Sequence, residues 1–233
     1  PNYPTLLYNA MIHPLRVMPV KGVLWYQGCS NIGRADQYAS LFPALVNDWR
    51  TLWRQPDMPF YFVQLSGYLK PVNVQSLSEW AALRHAQTAA LALPNTGMAV
   101  TTDLGNPADI HPADKHGVAD RLARIALARD YGKQTEWKAP SYASSRPLGN
   151  KIEVTFNAPV KATSCAITGF IIGDADGHWA YAHAEQTSPS TILLSSPLIQ
   201  NPKAARYNWA DYPSGNLVAP SAPLPVPPFA TDK

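Results

Sequence analysis

The stretch VKGVLWYQ at residues 20–27 is a short apolar run with β-branched and aromatic side chains, and it ends at Gly28. Such a run, bounded by a turn residue, is typical of a buried strand. Apolar residues then recur at steps of three and four, which predicts a helix. They are Tyr38, Leu41, Phe42, Leu45, Val46, Trp49, Leu52 and Trp53. Pro43 lies within this stripe, where it either begins a new helix or kinks a longer one.

The same alternation of strand and helix continues towards residue 131. The predicted elements are a strand at residues 60–65, a helix at 78–93, a strand at 97–102 and a helix from 112 to about 131. Ser78 is a plausible N-cap and Gly132 a plausible helix stop. Alternating strands and helices predict a parallel sheet with right-handed crossovers. We therefore expect an α/β domain over residues 1–139.

The composition changes near residue 140, where Pro, Ser, Thr and Gly become more frequent and helical periodicity disappears. Strand-like alternation occurs at residues 152–156, in part of 165–172 and at 191–195. Residues 140–233 are therefore predicted to form a β-rich element, either a small sandwich or an appended sheet. The tail at residues 220–228 holds five prolines and is expected to run as an extended arm over the surface.

The overall composition excludes several classes of protein. The chain has 233 residues, 46% of them hydrophobic, and a formal net charge of +3 from scattered charges. It shows no basic run that would suggest a nucleic-acid partner, and no apolar stretch near the roughly 18 residues of a membrane span. The two cysteines, Cys29 and Cys165, are read as two buried thiols, one disulfide bridge or one functional thiol.

Two polar loops follow predicted strands and precede predicted helices. Ligands of parallel α/β sheets bind outside the carboxyl ends of the strands, so both loops are candidates for a site. The loop at residues 103–112 (DLGNPADIHP) contains His111 close to Asp109. A histidine beside a carboxylate suits a general base that takes a proton from a hydroxyl nucleophile. The structural alternative is a capping aspartate and a surface histidine before a helix.

The loop at residues 27–31 contains Gly28, which allows the backbone to approach a ligand closely. Gln27, Ser30 and Asn31 add side-chain donors that suit the oxyanion of a tetrahedral intermediate. The structural alternative is a turn followed by an N-cap.

Several motifs in the same order resemble the sialate O-acetylesterase family. They are LYNAMI at residues 7–12, KGVLWYQGCSN at 21–31, WAALR at 80–84, DIHP at 109–112 with Lys115, RLA at 121–123, YNWAD at 207–211 and the closing Pro228 and Phe229. The resemblance implies a three-layer α/β/α domain of the SGNH hydrolase type. It also implies removal of acetyl groups from sugar hydroxyls through an acyl-serine intermediate.

The resemblance implies roles for individual residues. His111 would be the catalytic base and Asp109 its orienting carboxylate. Asp103 is a second candidate, because the position three before the histidine, where this pattern often has the acid, is Ala108. Gly28 and its polar neighbours would contribute to the oxyanion hole. Arg84 would bind a carbohydrate or carboxylate, or form a structural ion pair.

Two features depart from the family pattern. Related esterases usually have Glu at the position of Cys29, and in some that Glu supports the catalytic histidine. The family's nucleophilic serine belongs to a Gly-x-Ser segment upstream of the matched region. The chain begins Pro1-Asn2-Tyr3-Pro4, without an initiator Met, so we expect a processed or truncated protein that folds with an N-terminal companion carrying the nucleophile. Ser30, between Gly28 and Gly33, is a local rival for the nucleophile.

The expected partner is an acetylated carbohydrate, such as acetylated sialic acid or a plant glycan, and no cofactor or metal is expected. A weaker alternative treats His111 and His116 as metal ligands. A non-catalytic carbohydrate-binding or structural fragment is the alternative from another functional class. Esterases that act on exogenous glycans are usually exported, so the expected location is periplasmic or extracellular.

Overall fold

A computed structural model describes residues 3–233, so the predicted processing at Pro1 and Asn2 lies outside the described residues. The helices are α1 (Ala35–Trp53), α2 (Glu79–Gln87) and α3 (Lys115–Asp130). The first three strands are β1 (Val23–Trp25), β2 (Phe60–Val63) and β3 (Thr96–Ala99). Short π- and 3-10-helical turns occur at Tyr8–Ile12, His13–Val17, Cys29–Asn31, Thr88–Ala92 and Thr102–Leu104.

The first half is a three-layer α/β/α arrangement around a parallel sheet of order β1-β2-β3. β2 is central and buried along its whole length. Because successive side chains of a strand point to opposite faces, Phe60 and Phe62 pack with α1 and α2, whereas Tyr61 and Val63 pack with α3. The predicted parallel α/β fold is confirmed, and each strand is shorter than predicted.

Local signals explain where the helices begin and end. Pro43 lies inside one continuous helix, α1, which ends where Arg54 adopts a left-handed conformation. The Ser78 hydroxyl accepts a hydrogen bond from the Ala81 amide at 3.0 Å, which confirms the predicted N-cap of α2. α3 begins three residues later than predicted, because the carboxylate of Asp114 caps it by accepting from the Gly117 amide at 2.8 Å.

β1 forms an exposed edge of the sheet. It pairs with β2 on one side, and on its other side no strand of residues 3–233 adds to it. Val23 and Trp25 pack against the α1 and α2 side, whereas Leu24 points to the opposite face and is 62% exposed. An apolar side chain beside an unpaired edge indicates a surface that suits further secondary structure.

The second half is built from antiparallel strands. They are β4 (Tyr142–Leu148), β5 (Lys151–Phe156), β6 (Lys161–Ala162), β7 (Phe170–Gly173), β8 (Trp179–Tyr181), β9 (His183–Ser188), β10 (Thr191–Ser195), β11 (Ala204–Tyr207), β12 (Leu217–Val218) and β13 (Phe229–Ala230). Two four-stranded sheets, β4-β5-β10-β9 and β13-β11-β7-β8, share one apolar core. Val154 and Ile192 enter that core from the first sheet, and Phe170 and Tyr207 from the second. The predicted β-rich element is confirmed.

Two sequence expectations are corrected. The proline-rich tail has little regular structure, but Leu224 and Val226 are buried, so it packs into the protein instead of lying over the surface. Both cysteines are free, with Cys29 half-buried and Cys165 exposed. The bridge is therefore not formed, and the interpretation of two buried thiols is wrong for Cys165. Within residues 3–233, no helix combines the length and the apolar character needed to span a membrane.

Candidate active site

A cavity of about 310 Å³ opens at the carboxyl ends of β1 and β2. Its lining comes from the segment after β1, the end of β2 and the loop before α3. The lining residues are Tyr26, Gln27, Gly28, Cys29, Ser30, Leu65, Ser66, Ile110, His111, Pro112 and Lys115. The structure therefore brings together the two polar loops that the sequence singled out, at the sheet edge where α/β proteins bind ligands.

His111 lies on the wall of this cavity with a carboxylate beside its ring. Its Nδ1 is 3.4 Å from Oδ1 of Asp109, and its side chain is 84% exposed. The same Oδ1 accepts a hydrogen bond from the His111 amide at 2.8 Å, which fixes the carboxylate against the histidine's own backbone. A carboxylate at Nδ1 leaves Nε2 as the ring nitrogen that can take a proton from a nucleophile.

Asp103, the second candidate for the orienting carboxylate, pairs with a different residue. Its two oxygens accept hydrogen bonds from Nη1 and Nη2 of Arg121, both at 2.6 Å. Arg121 is 9% exposed and also donates to the Val100 carbonyl. Asp103 thus forms a bidentate ion pair that links the end of β3 to α3.

The Gly28 loop forms the facing wall. Gly28 is buried, and residues Cys29–Asn31 make a short 3-10 turn whose Asn31 amide donates to the Gly28 carbonyl at 2.8 Å. The Tyr38 hydroxyl lies 3.3 Å from both the carbonyl and the Oε1 of Gln27. Gln27, Gly28 and Ser30 line the cavity, whereas Asn31 lies outside its lining.

Cys29 lines the cavity between Gly28 and Ser30. Burial raises the pKa of its thiol, against the weaker opposing effects of a backbone hydrogen bond, Arg84 and Lys115. A raised pKa lowers the fraction of reactive thiolate, so this environment does not activate Cys29 as a nucleophile.

Arg84 lies outside the cavity and is fully buried. Its guanidinium donates to the backbone carbonyls of Leu65, Ser66, Ala210 and Asp211. These contacts occupy the guanidinium N–H groups that would otherwise donate to a bound sugar or carboxylate. The interpretation of Arg84 as a substrate-binding residue is therefore corrected, as is the structural ion pair, because the described residues place no carboxylate in ion-pair contact with it.

Tyr26, Leu65, Ser66 and Lys115 are among the lining residues to which the sequence assigns no role. Lys115 holds its Nζ 5.4 Å from the centre of the Tyr26 ring, in cation–π contact. Burial raises the pKa of the Tyr26 hydroxyl. Leu65 and Ser66 follow the central strand, so the rule that sites form at strand carboxyl ends could have identified them.

Two other features of the surface lie apart from this cavity. A larger cavity of about 490 Å³ lies along the outer edge of β3 and the proline-rich tail, but His111 and the Gly28 loop do not line it. Within residues 3–233, one group of three side chains has metal-ligand atoms close together, namely Asp174, Asp176 and His178 on the loop before β8. Neither His111 nor His116 belongs to that group.

Comparisons with known proteins agree with the fold. A family model described as "Carbohydrate esterase, sialic acid-specific acetylesterase" matches residues 2–128. The chain is 34% identical over 262 residues to a sialate O-acetylesterase of Rattus norvegicus, covering 97% of this chain and 46% of that protein. It is also 34% identical over 258 residues to the Homo sapiens sialate O-acetylesterase, covering 98% of this chain and 49% of that protein.

A solved structure is also similar. The crystal structure of a novel carbohydrate acetylesterase from Xanthomonas citri superposes with a TM-score of 0.91 at 40% identity, covering 99% of this chain and 54% of that one. This chain spans about half the length of these relatives. The family model matches more than half of the chain and includes both site loops. The chain therefore belongs to the carbohydrate esterase family of sialic acid-specific acetylesterases.

Proposed function

We propose that this chain forms the histidine-bearing part of a serine esterase that removes acetyl groups from sugar hydroxyls. The observation that carries the proposal is the position of His111 with Asp109 across one cavity from Gly28. A base, its orienting carboxylate and a close backbone approach are the parts that acyl transfer to a hydroxyl nucleophile needs.

The proposed reaction has two steps. His111 Nε2 takes the proton of a serine hydroxyl as its Oγ attacks the acetyl carbonyl carbon, and the oxyanion forms beside the Gly28 loop. The ester C–O bond then breaks, and the imidazolium gives its proton to the departing sugar oxygen. A water molecule attacks the acyl-serine while His111 takes its proton, and acetate leaves as the serine Oγ recovers a proton. Asp109 would keep Nδ1 protonated and stabilise the charged ring.

We assign the nucleophile to a serine in a segment upstream of the matched region. The resemblance to the family supports this, because its Gly-x-Ser segment precedes these motifs. The exposed edge of β1 and the exposed Leu24 support it independently, since they offer a strand-pairing surface on the side of the Gly28 loop. Ser30 lines the cavity and is the local alternative.

Acetylated sugars are the proposed substrates, with acetylated sialic acid supported by the description of the family model. A small acetyl group needs little room, so a cavity of about 310 Å³ accommodates it while the sugar extends outwards. Because such glycans are encountered outside the cytoplasm, we propose a periplasmic or extracellular location.

The experiment measures hydrolysis of p-nitrophenyl acetate and of O-acetylated sialic acid, for this chain alone and joined to the upstream segment. We expect activity in the joined form, and we expect His111→Ala to lower kcat/KM by about 10³-fold, which is the size typical of a lost general base. His116→Ala is the matched control, because His116 is an exposed histidine at the start of α3 that does not line the cavity.

The outcomes separate the alternatives. Activity that survives Ser30→Ala supports the upstream serine, whereas activity of the isolated chain that Ser30→Ala abolishes makes Ser30 the nucleophile. If the joined protein hydrolyses neither ester, or if His111→Ala changes nothing, the esterase proposal fails. Binding of the sugar without hydrolysis would then favour the carbohydrate-binding fragment.

A further inference from the structure

Leu65, Ser66 and Gly67, here called the floor segment, lie where the two site loops converge. Leu65 and Ser66 line the cavity. A Cβ placed on Gly28 would lie 3.2 Å from Cδ2 of Leu65, so the floor segment supports the first loop. A Cβ placed on Gly105 would lie 2.2 Å from the Gly67 carbonyl oxygen, so the floor segment also contacts the start of the His111 loop. Any shift of the floor segment therefore moves both walls of the cavity.

Two side chains of α2 hold the floor segment by its backbone. Arg84 donates from Nε to the Leu65 carbonyl at 2.7 Å and from Nη2 to the Ser66 carbonyl at 2.9 Å. Gln87 accepts from the Leu65 amide through Oε1 at 2.9 Å and donates from Nε2 to the Val63 carbonyl at 3.0 Å. Together they hold the chain in place just beyond β2, where the ladder of the sheet no longer constrains it.

The same guanidinium reaches the β-rich half of the chain. Arg84 donates from Nη1 to the Ala210 carbonyl at 2.7 Å and from Nη2 to the Asp211 carbonyl at 2.8 Å. The carboxylate of Asp211 accepts from the Ser78 hydroxyl at 2.6 Å and from Gln75 Nε2 at 2.7 Å. Residues 210–211 are therefore fixed against α2 and against the floor segment at the same time.

The chemistry of Arg84 is unusual for a residue that serves stability alone. Burial lowers its pKa to about 9, against the weaker opposing effects of the Asp211 and Cys29 charges, and its hydrogen-bond partners are backbone carbonyls. A buried cation without a carboxylate in direct contact is costly, and an apolar side chain of similar size is often as good for stability. The presence of a rigid, planar guanidinium at this position is better explained by the geometry that it imposes on the backbone segments around it.

We propose that Arg84 is a positioning residue of the esterase site. It holds the floor segment and residues 210–211 in fixed positions relative to each other, so that the Gly28 loop and His111 face each other. This inference rests on the proposed function. It also makes the β-rich half a part of the catalytic unit, because that half supplies two of the four carbonyls that Arg84 binds.

The test is Arg84→Lys in the protein that carries the upstream segment. Lysine keeps the charge but has donors on a single nitrogen, so it cannot span four carbonyls. We expect kcat for p-nitrophenyl acetate to fall about 10²-fold with little change in KM, the size expected when a site is misplaced by about 1 Å. Because this ester carries no sugar, loss of a sugar contact alone would leave its kcat unchanged, and that result would overturn the inference.

Arg50→Lys is the matched control. Arg50 is also a buried arginine that donates to two backbone carbonyls, those of Met58 and Pro94, but it lies at the opposite end of the sheet. We expect its replacement to lower the melting temperature while kcat stays within about twofold, because substitutions at distant sites with no shared contacts act independently. An equal fall in kcat for both variants would reduce Arg84 to a general structural role and overturn the inference.

A second readout does not depend on esterase activity. Cys29 lines the cavity and Cys165 is exposed in the β-rich half, so the ratio of their iodoacetamide reaction rates reports the local packing of the site. We expect Arg84→Lys to raise the Cys29/Cys165 ratio about tenfold by local opening, and Arg50→Lys to leave it unchanged. If the unsubstituted protein is inactive, the proposed function fails. The Cys29/Cys165 ratio of reaction rates would still test whether Arg84 holds the cavity together.

Gln87→Met keeps the test decisive if Arg84→Lys does not fold. It removes the acceptor for the Leu65 amide and the donor to the Val63 carbonyl with little change in volume. We expect the same two changes at a smaller size, a fall in kcat of about tenfold and a rise in the Cys29/Cys165 ratio of about threefold, since Gln87 makes two hydrogen bonds where Arg84 makes four. A folded variant of either residue that leaves both readouts unchanged overturns the inference.

Discussion

Asp103 and Arg121 form a bidentate ion pair, with both carboxylate oxygens at 2.6 Å from the guanidinium. This pair joins the segment after β3 to the buried side of α3. The pair leaves Asp103 with an arginine partner, whereas Asp109 lies 3.4 Å from the ring of His111. We therefore propose Asp109 as the carboxylate that orients His111.

We predict that Asp109→Asn lowers kcat/KM of the assembled enzyme. The amide is isosteric but uncharged, so it cannot stabilise the imidazolium, and the expected loss is about 10- to 100-fold for an exposed pair. Steady-state kinetics with p-nitrophenyl acetate measure it. Asp114→Asn is the control, because Asp114 is a nearby carboxylate that only caps α3. Equal activity of Asp109→Asn and the unsubstituted enzyme would contradict the role of Asp109.

Asp103→Asn should act on stability, because it leaves the guanidinium of Arg121 buried without its charge partner. Since Asp103 is itself partly exposed, we expect the free energy of unfolding to fall by about 1–3 kcal/mol. Urea unfolding measures the change. Asp120→Asn removes the more exposed pair with Arg124 on α3 and should cost about 0.5 kcal/mol or less. If Asp120→Asn lowers the free energy of unfolding more than Asp103→Asn does, the proposed contribution of the Asp103 pair to stability is contradicted.

Gly105→Ala tests the contact between the His111 loop and the floor segment. Gly105 has an ordinary backbone conformation, but an added Cβ would lie 2.2 Å from the Gly67 carbonyl oxygen, which is backbone and cannot rotate away. We expect destabilisation of about 3 kcal/mol or more. Gly149→Ala is the comparison, because Gly149 has φ +60° and open space, so only about 1 kcal/mol of conformational strain is expected. Thermal unfolding of both variants gives the comparison.

The stability of the β-rich half should depend on pH through Asp232. Hydrogen bonds from Arg206 hold the pKa of the Asp232 carboxyl below its ordinary value, and Arg206 itself packs 3.9 Å from the centre of the Trp179 ring. A carboxyl whose pKa falls on folding stabilises the protein above its unfolded pKa of about 3.9, and that contribution is lost as pH falls through the folded value.

Asp232→Asn should therefore cost about 1 kcal/mol at pH 7 and progressively less below about pH 4. Urea unfolding from pH 7 to pH 3 measures the difference. The control is Asp48→Asn, which replaces an exposed carboxylate on α1. A difference between Asp232→Asn and the unsubstituted chain that stays constant with pH would contradict the ion pair's contribution.

The two cysteines should differ in reactivity. Burial raises the pKa of the Cys29 thiol, whereas Cys165 is exposed. Iodoacetamide at roughly neutral pH should modify Cys165 at least about tenfold faster, because Cys165 is more accessible and because burial lowers the thiolate fraction of Cys29. Peptide mass analysis identifies the modified residue. Faster reaction at Cys29 would indicate an activated thiol in the cavity.

The sequence predicted the site loops well because glycine and strand signals are local. Gly28 ends a strand, and residues 103–112 follow another, so their place at the sheet edge follows from the alternation of strand and helix. The pairing of Asp103 with an arginine could not be predicted. It depends on Arg121, which lies 18 residues after Asp103 and meets it only when α3 packs on the sheet.

The role of Arg84 was also beyond the sequence. Helical spacing places it on α2, but its burial depends on carbonyls of residues 210–211, which are 126 and 127 positions away. The proline-rich tail was misjudged for a related reason. Proline predicts an extended backbone, but whether an extended segment is exposed depends on the surface that receives it, and here Leu224 and Val226 are buried.

The hydrogen bond from Ser78 to Asp211 joins residues 133 positions apart, and Ser78 is the N-cap of the helix that carries Arg84. Contacts of such long sequence separation form late, because the intervening chain must close on itself first. During synthesis, which proceeds from the N-terminus, α2 is complete long before its polar partner leaves the ribosome. We therefore expect the floor of the cavity to be the last part of the site to form. Nascent chains that stop before residue 211 should contain His111 but lack a complete cavity.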